Sequence, residues 1–159
     1  MKEISFRAAT EKDRDFIRQV SARVFSLFGD YEEILTHWFL VPGVLTVIGS
    51  KNGQPAGFVM LQLGEKVKGE GAKGELLAIA VVPEHQGQGV GKALLGYGED
   101  LAWQHRLSEI RLHTAEDNLS ARYLFGKAGY KVVGSKKSYY PQGQSALMMV
   151  KMLDSLTRP

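Results

Sequence analysis

Cysteine is absent from the 159 residues, which excludes disulfides, thiolate metal sites and a cysteine nucleophile. No apolar run approaches the roughly 18 residues that a membrane-spanning helix requires. The opening Met1-Lys2-Glu3-Ile4-Ser5-Phe6-Arg7 also lacks the apolar core of a secretory signal. A cytoplasmic protein with no membrane partner is expected. Histidine is sparse, and His37, His85 and His105 lie far apart without ligand spacing, so no metal is expected. Acids run short towards the end: from Leu119 to Pro159 seven Arg or Lys face a single acid, Asp154. This excess suits a highly phosphorylated small molecule. Nucleic acid is disfavoured as a partner, because basic and aromatic residues are not interleaved on a recognisable scaffold. What remains is ordinary for a globular protein: 44% apolar residues, 23% charged residues and a net charge of +3. The length fits one domain, residues 1–159.

The chemistry is concentrated in Val82-Pro-Glu-His-Gln-Gly-Gln-Gly-Val-Gly-Lys92. The run before it, Glu75 to Val82, is short and apolar and reads as a buried strand. The segment after it, from Val90 to about His105, carries Val90, Leu94, Leu95, Leu101 and Ala102 at helical spacing. A glycine-rich loop therefore joins a strand to a helix N-terminus, where unpaired N–H groups and the helix dipole attract an anion. Glycines let a diphosphate approach the backbone and allow positive φ. A Walker A loop is excluded, since Gly91-Lys92 is followed by Ala93 and preceded five positions earlier by Gln86. A dinucleotide fingerprint is excluded because its third glycine would fall on Lys92 or Leu94.

Along the chain, Ile4–Ala8 reads as a strand, and Thr10 with Asp13 as the capping box of a helix with an apolar stripe from Phe16 to Phe28. Asp30, with Glu33 at the box position, is expected to cap a second helix reaching Pro42-Gly43. Strands at Val44–Gly49 and Ala56–Leu63 flank the hairpin signal Asn52-Gly53. Glu65–Gly74 reads as an exposed hairpin loop. After the loop and long helix come a strand at Glu109–His113, a short helix capped by Asn118, and strands at Tyr130–Lys136 and Ala146–Leu153. The expected fold class is α/β, in the order β-α-α-β-β-β-α-β-α-β-β, around a mixed central sheet flanked by helices.

Gln86-x-x-Gly89-x-Gly91 resembles the Q/R-x-x-G-x-G/A signature of the GNAT acyltransferase superfamily. Asn118-x-x-Ala121-x-x-Leu124-Phe125-x-x-x-Gly129-Tyr130 resembles its second signature, N-x-x-A-x-x-L-Y-x-x-x-G-F. The resemblance spans nearly the whole chain. It implies acetyl-CoA as co-substrate, with Gln86, Gly87, Gln88, Gly89, Val90, Gly91 and Lys92 around the pyrophosphate. It further implies that backbone groups of Ile79, Ala80 and Val81 hold the thioester and pantetheine and that Asn118 touches the pantetheine arm. Arg122 or Lys127 is placed near the 3′-phosphate. Phe125 stands where many family members have the tyrosine that protonates the departing thiolate. Tyr123 cannot replace it, because two residues turn a helix by about 200°.

Tyr139-Tyr140-Pro141 before the last strand is similar to the terminal hairpin of N-terminal protein acetyltransferases, including the ribosomal-protein branch, in which paired tyrosines contact the acceptor peptide. Ser145 stands where those proteins often carry an acid. Tyr139 and Tyr140 are therefore the acceptor-side candidates, and both are better placed than Tyr123 as proton donors, Tyr140 being the catalytic candidate.

Acyl transfer to an amine needs the amine neutral, which calls for a general base. Glu75 is the first candidate: it matches the glutamate of histone-type members, and alternation would place it on one face with Leu77, Ile79 and Val81. His113 is the second, ending the next strand with a reference pKa near neutrality. The expected function is direct acetyl transfer to a primary amine, possible acceptors including a protein or peptide N-terminal α-amine. A small amine (polyamine, amino acid, drug) and a non-catalytic acyl-CoA-binding module are the alternatives, and a homodimer is left open.

Overall fold

The computed structural model describes residues 3–69 and 71–153. Its elements follow the expected order: β1 (Ile4–Ala8), α1 (Arg14–Phe25), α2 (Tyr31–Trp38), β2 (Val44–Lys51), β3 (Gln54–Val67), β4 (Gly71–Val81), α3 (Val90–Gln104), β5 (Leu107–Ala115), α4 (Leu119–Lys127), β6 (Lys131–Lys136) and β7 (Ala146–Met152). One sheet of seven strands runs β1-β2-β3-β4-β5-β7-β6. All neighbours are antiparallel except β4 and β5.

The two sheet faces carry separate cores. On one, Val90, Leu94 and Ala102 of α3 and Phe125 of α4 pack on Val59, Leu61 and Leu112. On the other, Ile17 and Val20 of α1 and Leu35 of α2 pack on Ile48, Phe58 and Met60. Each such aliphatic or aromatic side chain contributes roughly 1.5–3 kcal/mol on burial. Thr10 makes its capping box, and Arg7 grips the same Asp13 through two 2.8 Å bonds, tying β1 to the start of the first helix.

Four local expectations fail. Asp30 makes no side-chain cap bond: the Glu33 N–H donates to the Asp30 carbonyl at 3.1 Å, and the Glu33 carboxylate pairs with Arg18. The second helix stops at Trp38 rather than at Pro42-Gly43, and the first gives way after Phe25 to a 3-10 turn, Ser26–Phe28. Nor is Glu65–Gly74 a loop: β3 and β4 pair out to Lys66–Ala72 and Val67–Gly71. On β4, Lys73 is exposed while Ala72 and Gly74 on either side of it are buried.

The fourth failure positions the site. Met60 pairs with Ala78 and Leu61 with Leu76, so Leu77 is an extra residue bulged out of β4. A bulge flips the alternation beyond it. Leu76 belongs to the core under α3, as do Ile79 and Val81, whereas Leu77, Ala78 and Ala80 belong to the core under α1. Glu75, in odd register before the bulge, therefore shares a face with Leu77 but not with Ile79 or Val81.

Candidate active site

β4 and β5 pair only from Ala72–Leu107 to Glu75–Arg111. Beyond that point β4 bulges at Leu77 and turns away, and its edge from Leu76 to Val81 is released from the β5 ladder. A cleft of about 430 Å³ opens in the split. Among the described residues, its lining contains no Asp, Glu, Lys or Arg.

One half of the cleft is the strand–loop–helix junction. Gly87 has φ 76° and Gly89 φ 86°, conformations that only glycine adopts without strain. A Cβ at either position would meet nothing within 4 Å, so the loop surface is open to close approach. Gly89 begins α3 without any side-chain cap bond, leaving the first helical N–H groups for an anion. Gln86 donates to the Val81 carbonyl at 3.0 Å and pins the loop against β4. Gln86, Gly87 and Gly91 line the cleft, as do Ile79, Ala80 and Val81. Gln88, Gly89, Val90 and Lys92 do not: Gln88 is held by Lys51 and the Glu84 carbonyl, Val90 is buried in the core, and Lys92 is exposed.

From α4, Asn118, Ala121 and Phe125 reach the cleft. Asn118 Oδ1 accepts the Ala121 N–H at 3.2 Å, so capping occupies the oxygen. Tyr123 points to solvent, 68% exposed. Phe125 is buried edge-on to Tyr130. Arg122 donates to the Glu116 carbonyl, and Lys127 lies over the Tyr123 ring.

The other half is aromatic. Val24, Phe25, Phe28 and Tyr31 enter from the α1–α2 corner, and Tyr140 from the β6–β7 connection. None of the four corner residues was a sequence candidate for the site. Val24 and Phe28 were read as a helix stripe, and a helix ending at Phe25 was not foreseen. Aromatics on both sides of Gly29 were the available signal. Burial pushes the Tyr140 phenol well above its usual range and raises Tyr31 as well.

His113 lines the cleft from β5. Its Nε2 is buried without a hydrogen-bond partner, and its Nδ1 stands 4.0 Å from Glu75 Oε2. Burial lowers its pKa below 6.5; Glu75 pulls the other way, and Lys136 adds to the lowering. Glu75 is outside the cleft lining, with 45% of its side chain exposed. Tyr139 is also outside it: its ring stacks flat on His113, centroids 5.2 Å apart at 2°, with the Lys136 ammonium 5.5 Å above. The two base candidates thus meet each other, and the two tyrosines divide, one stacking on His113 and one walling the cleft.

Residues 13–130 match the model of the Acetyltransferase (GNAT) family. The chain belongs to the GNAT family. Among GNAT relatives, it is 26% identical over 136 residues to mycothiol acetyltransferase of Clavibacter michiganensis, covering 80% of this chain and 42% of that protein. The chain thus spans less than half the length of this mycothiol enzyme. It is 39% identical over 67 residues to the ribosomal protein bS18-alanine N-acetyltransferase of Haemophilus influenzae, covering 42% of this chain and 45% of that one. The solved ribosomal-protein-S18-alanine N-acetyltransferase of Escherichia coli superposes with a TM-score of 0.78 over 100% of both chains, at 24% identity. Arabidopsis thaliana NAA60, solved in complex with acetyl-CoA, superposes at 0.82 over 95% of this chain and 99% of its own, at 18% identity. These structures share the GNAT fold. Among the described residues no helix is long and apolar enough to cross a membrane, and no group of three His, Asp or Glu residues could hold a metal.

Proposed function

We propose that this chain is an acetyl-CoA-dependent N-acetyltransferase that acetylates a primary amine directly, with His113 as general base. The observation that carries this reading is the unpartnered, buried Nε2 of His113 in the wall of the same uncharged cleft that the glycine cradle enters. Acetyl-CoA fits the donor set. The open backbone at Gly87 and Gly89 and the uncapped start of α3 suit its diphosphate, and the free β4 edge suits its pantetheine amides. Bound acetyl-CoA supplies the acyl group as an activated thioester.

The residues then have separate tasks. His113 Nε2 takes the proton of the acceptor ammonium, and the imidazolium formed is stabilised by Glu75 at 4.0 Å. Glu75 acts as a positioning and charge-balancing residue. Tyr139 holds the imidazole ring by its flat stack. Tyr140 keeps its proton, because burial raises its pKa, and donates a hydrogen bond to the leaving sulfur where Phe125 has no hydroxyl to offer. Backbone N–H groups on the free β4 edge receive the developing oxyanion.

A base below the usual histidine range favours an α-amine acceptor. An α-ammonium titrates near 8 and gives up its proton more readily than a lysine ammonium near 10.4. The ribosomal-protein relative supports the same acceptor class, a protein or peptide N-terminus. Mass spectrometry of a lysine-containing peptide with a free N-terminus, incubated with acetyl-CoA, tests this. One acetyl group on the α-amine is expected. Acetylation of the lysine alone would refute the acceptor assignment. Binding of coenzyme A with no acetylated amine would make the protein a non-catalytic binding module.

A further inference from the structure

We infer that the acceptor is an amine carrying a single positive charge beside an apolar group, and that Phe28 and Tyr31 set this preference. The inference rests on the acetyltransferase reading and deepens it. Its basis is the composition and rigidity of one wall of the cleft.

That wall is built from two segments far apart in sequence. Phe25 meets Tyr31 with ring centroids 5.6 Å apart, and Phe28 meets Tyr140 at 5.3 Å. Gln144 donates to the Leu27 carbonyl at 2.9 Å and ties the β6–β7 connection to the turn that carries Phe28. The aromatic wall is therefore formed before an acceptor arrives, and an apolar group docks without ordering it first.

Charge decides against the competing acceptors. Polyamines, aminoglycosides and lysine-rich peptides bring several ammonium groups into the cleft, and each needs a carboxylate to offset its lost hydration. Among the described residues the lining has none. The nearest carboxylate identified, Glu75, is outside the lining and faces His113, and Lys136 raises the positive potential on the same side. Cation–π attraction is too weak to replace a carboxylate partner for each added ammonium. A single ammonium that loses its proton to His113 enters without that penalty, and its apolar neighbour fills the wall.

A hydrophobic residue at a peptide N-terminus and a free arylalkylamine share this chemistry. The test measures acetyl-CoA-dependent thiol release by the full chain with Phe-led and Gly-led peptides, phenethylamine, spermidine and an Nα-blocked lysine peptide. The Phe-led peptide or phenethylamine should exceed spermidine and the lysine peptide at least tenfold in kcat/KM, and the better of the two identifies the source. Phe28→Ala should cut the preference for Phe-led over Gly-led peptide by about tenfold. Phe28→Asp should admit spermidine, with coenzyme A binding as the check that both variants are folded. Turnover led by spermidine or by the lysine peptide would overturn the inference and leave the enzyme reading standing. A Phe-to-Gly preference unmoved by Phe28→Ala would overturn it as well. No release with any acceptor would refute the enzyme reading, and the inference with it.

Discussion

At the level of single residues, the proposed mechanism turns on the proton affinity of His113. Burial lowers it, Lys136 lowers it further and Glu75 raises it. The native ring thus binds protons more weakly than the same ring in the unfolded chain. Between its lowered native pKa and about 6.5 the unfolded chain holds more protons, so this group makes stability rise with pH across that window. The same sign governs catalysis. A base must be unprotonated, so the acidic limb of the kcat/KM profile should have its midpoint below 6.5. His113→Gln should abolish that limb and lower kcat by about 10²–10⁴-fold. The two neighbours should then move the midpoint in opposite directions: Glu75→Gln to lower pH, because a stabilising charge is lost, and Lys136→Met to higher pH. Steady-state rates over a pH series check all three variants. A limb that vanishes in Glu75→Gln and survives in His113→Gln would transfer the base to Glu75. The sequence placed both residues among the candidates from strand position and resemblance. It put Glu75 first, partly on an unbroken alternation that the β-bulge at Leu77 interrupts.

At the level of elements, two glycines separate close approach from helix propensity. A Cβ at Gly64 in β3 would lie 1.9 Å from the Lys73 carbonyl of β4, whereas at Gly96, within α3, it would meet nothing within 4 Å. Gly64→Ala must push the two strands apart and should cost about 2 kcal/mol, as overpacking does. Gly96→Ala should instead stabilise by about 0.5–1 kcal/mol, since alanine is the better helix former. Thermal melts should therefore shift in opposite directions, and a neutral Gly64→Ala would show that the long β3–β4 ladder yields at little cost. That ladder is also where sequence reading stopped short. Glu65–Gly74 is charged and rich in glycine, the composition of a loop, yet it stays paired to within a few residues of the turn. Among its described side-chain positions, the buried ones are Ala72 and Gly74, a methyl group and a bare backbone that leave almost no hydrophobic signal. By contrast, Asn52-Gly53 gave the β2–β3 turn correctly, because two successive positive φ angles demand those residue types. Element order was legible throughout, since long periodic segments separated by capping residues and glycines carry it. Helix ends were less so: Asp30 has the right side chain for a cap, but its backbone carbonyl takes the Glu33 N–H, and the Glu33 carboxylate pairs with Arg18.

At the level of the whole molecule, the cleft is a seam between two cores. One core lies under α3 and α4 and the other under α1 and α2, and β4 contributes alternate side chains to both, with the alternation shifted at the Leu77 bulge. Below the seam the halves share the parallel β4–β5 pairing, and above it they stand apart. The aromatic wall escaped the sequence reading for this reason. Its members belong to helix ends and a hairpin that come together only across the seam, so no local pattern joins Phe28 to Tyr140. A molecule that lies in the seam touches both halves and binds only the folded chain. Coenzyme A at 100 times its dissociation constant should therefore add about 2.7 kcal/mol to stability. For a domain of this size that corresponds to a rise in Tm of roughly 5–10 °C. Pantetheine, which reaches the β4 edge but lacks the diphosphate, should give a smaller shift at equal concentration. Gly87→Ala should weaken the coenzyme A shift most, because alanine at φ 76° is strained and the diphosphate cradle must distort to relieve it. Equal shifts from pantetheine and coenzyme A would mean that the glycine loop contributes nothing to binding, and would leave the free β4 edge as the only anchor.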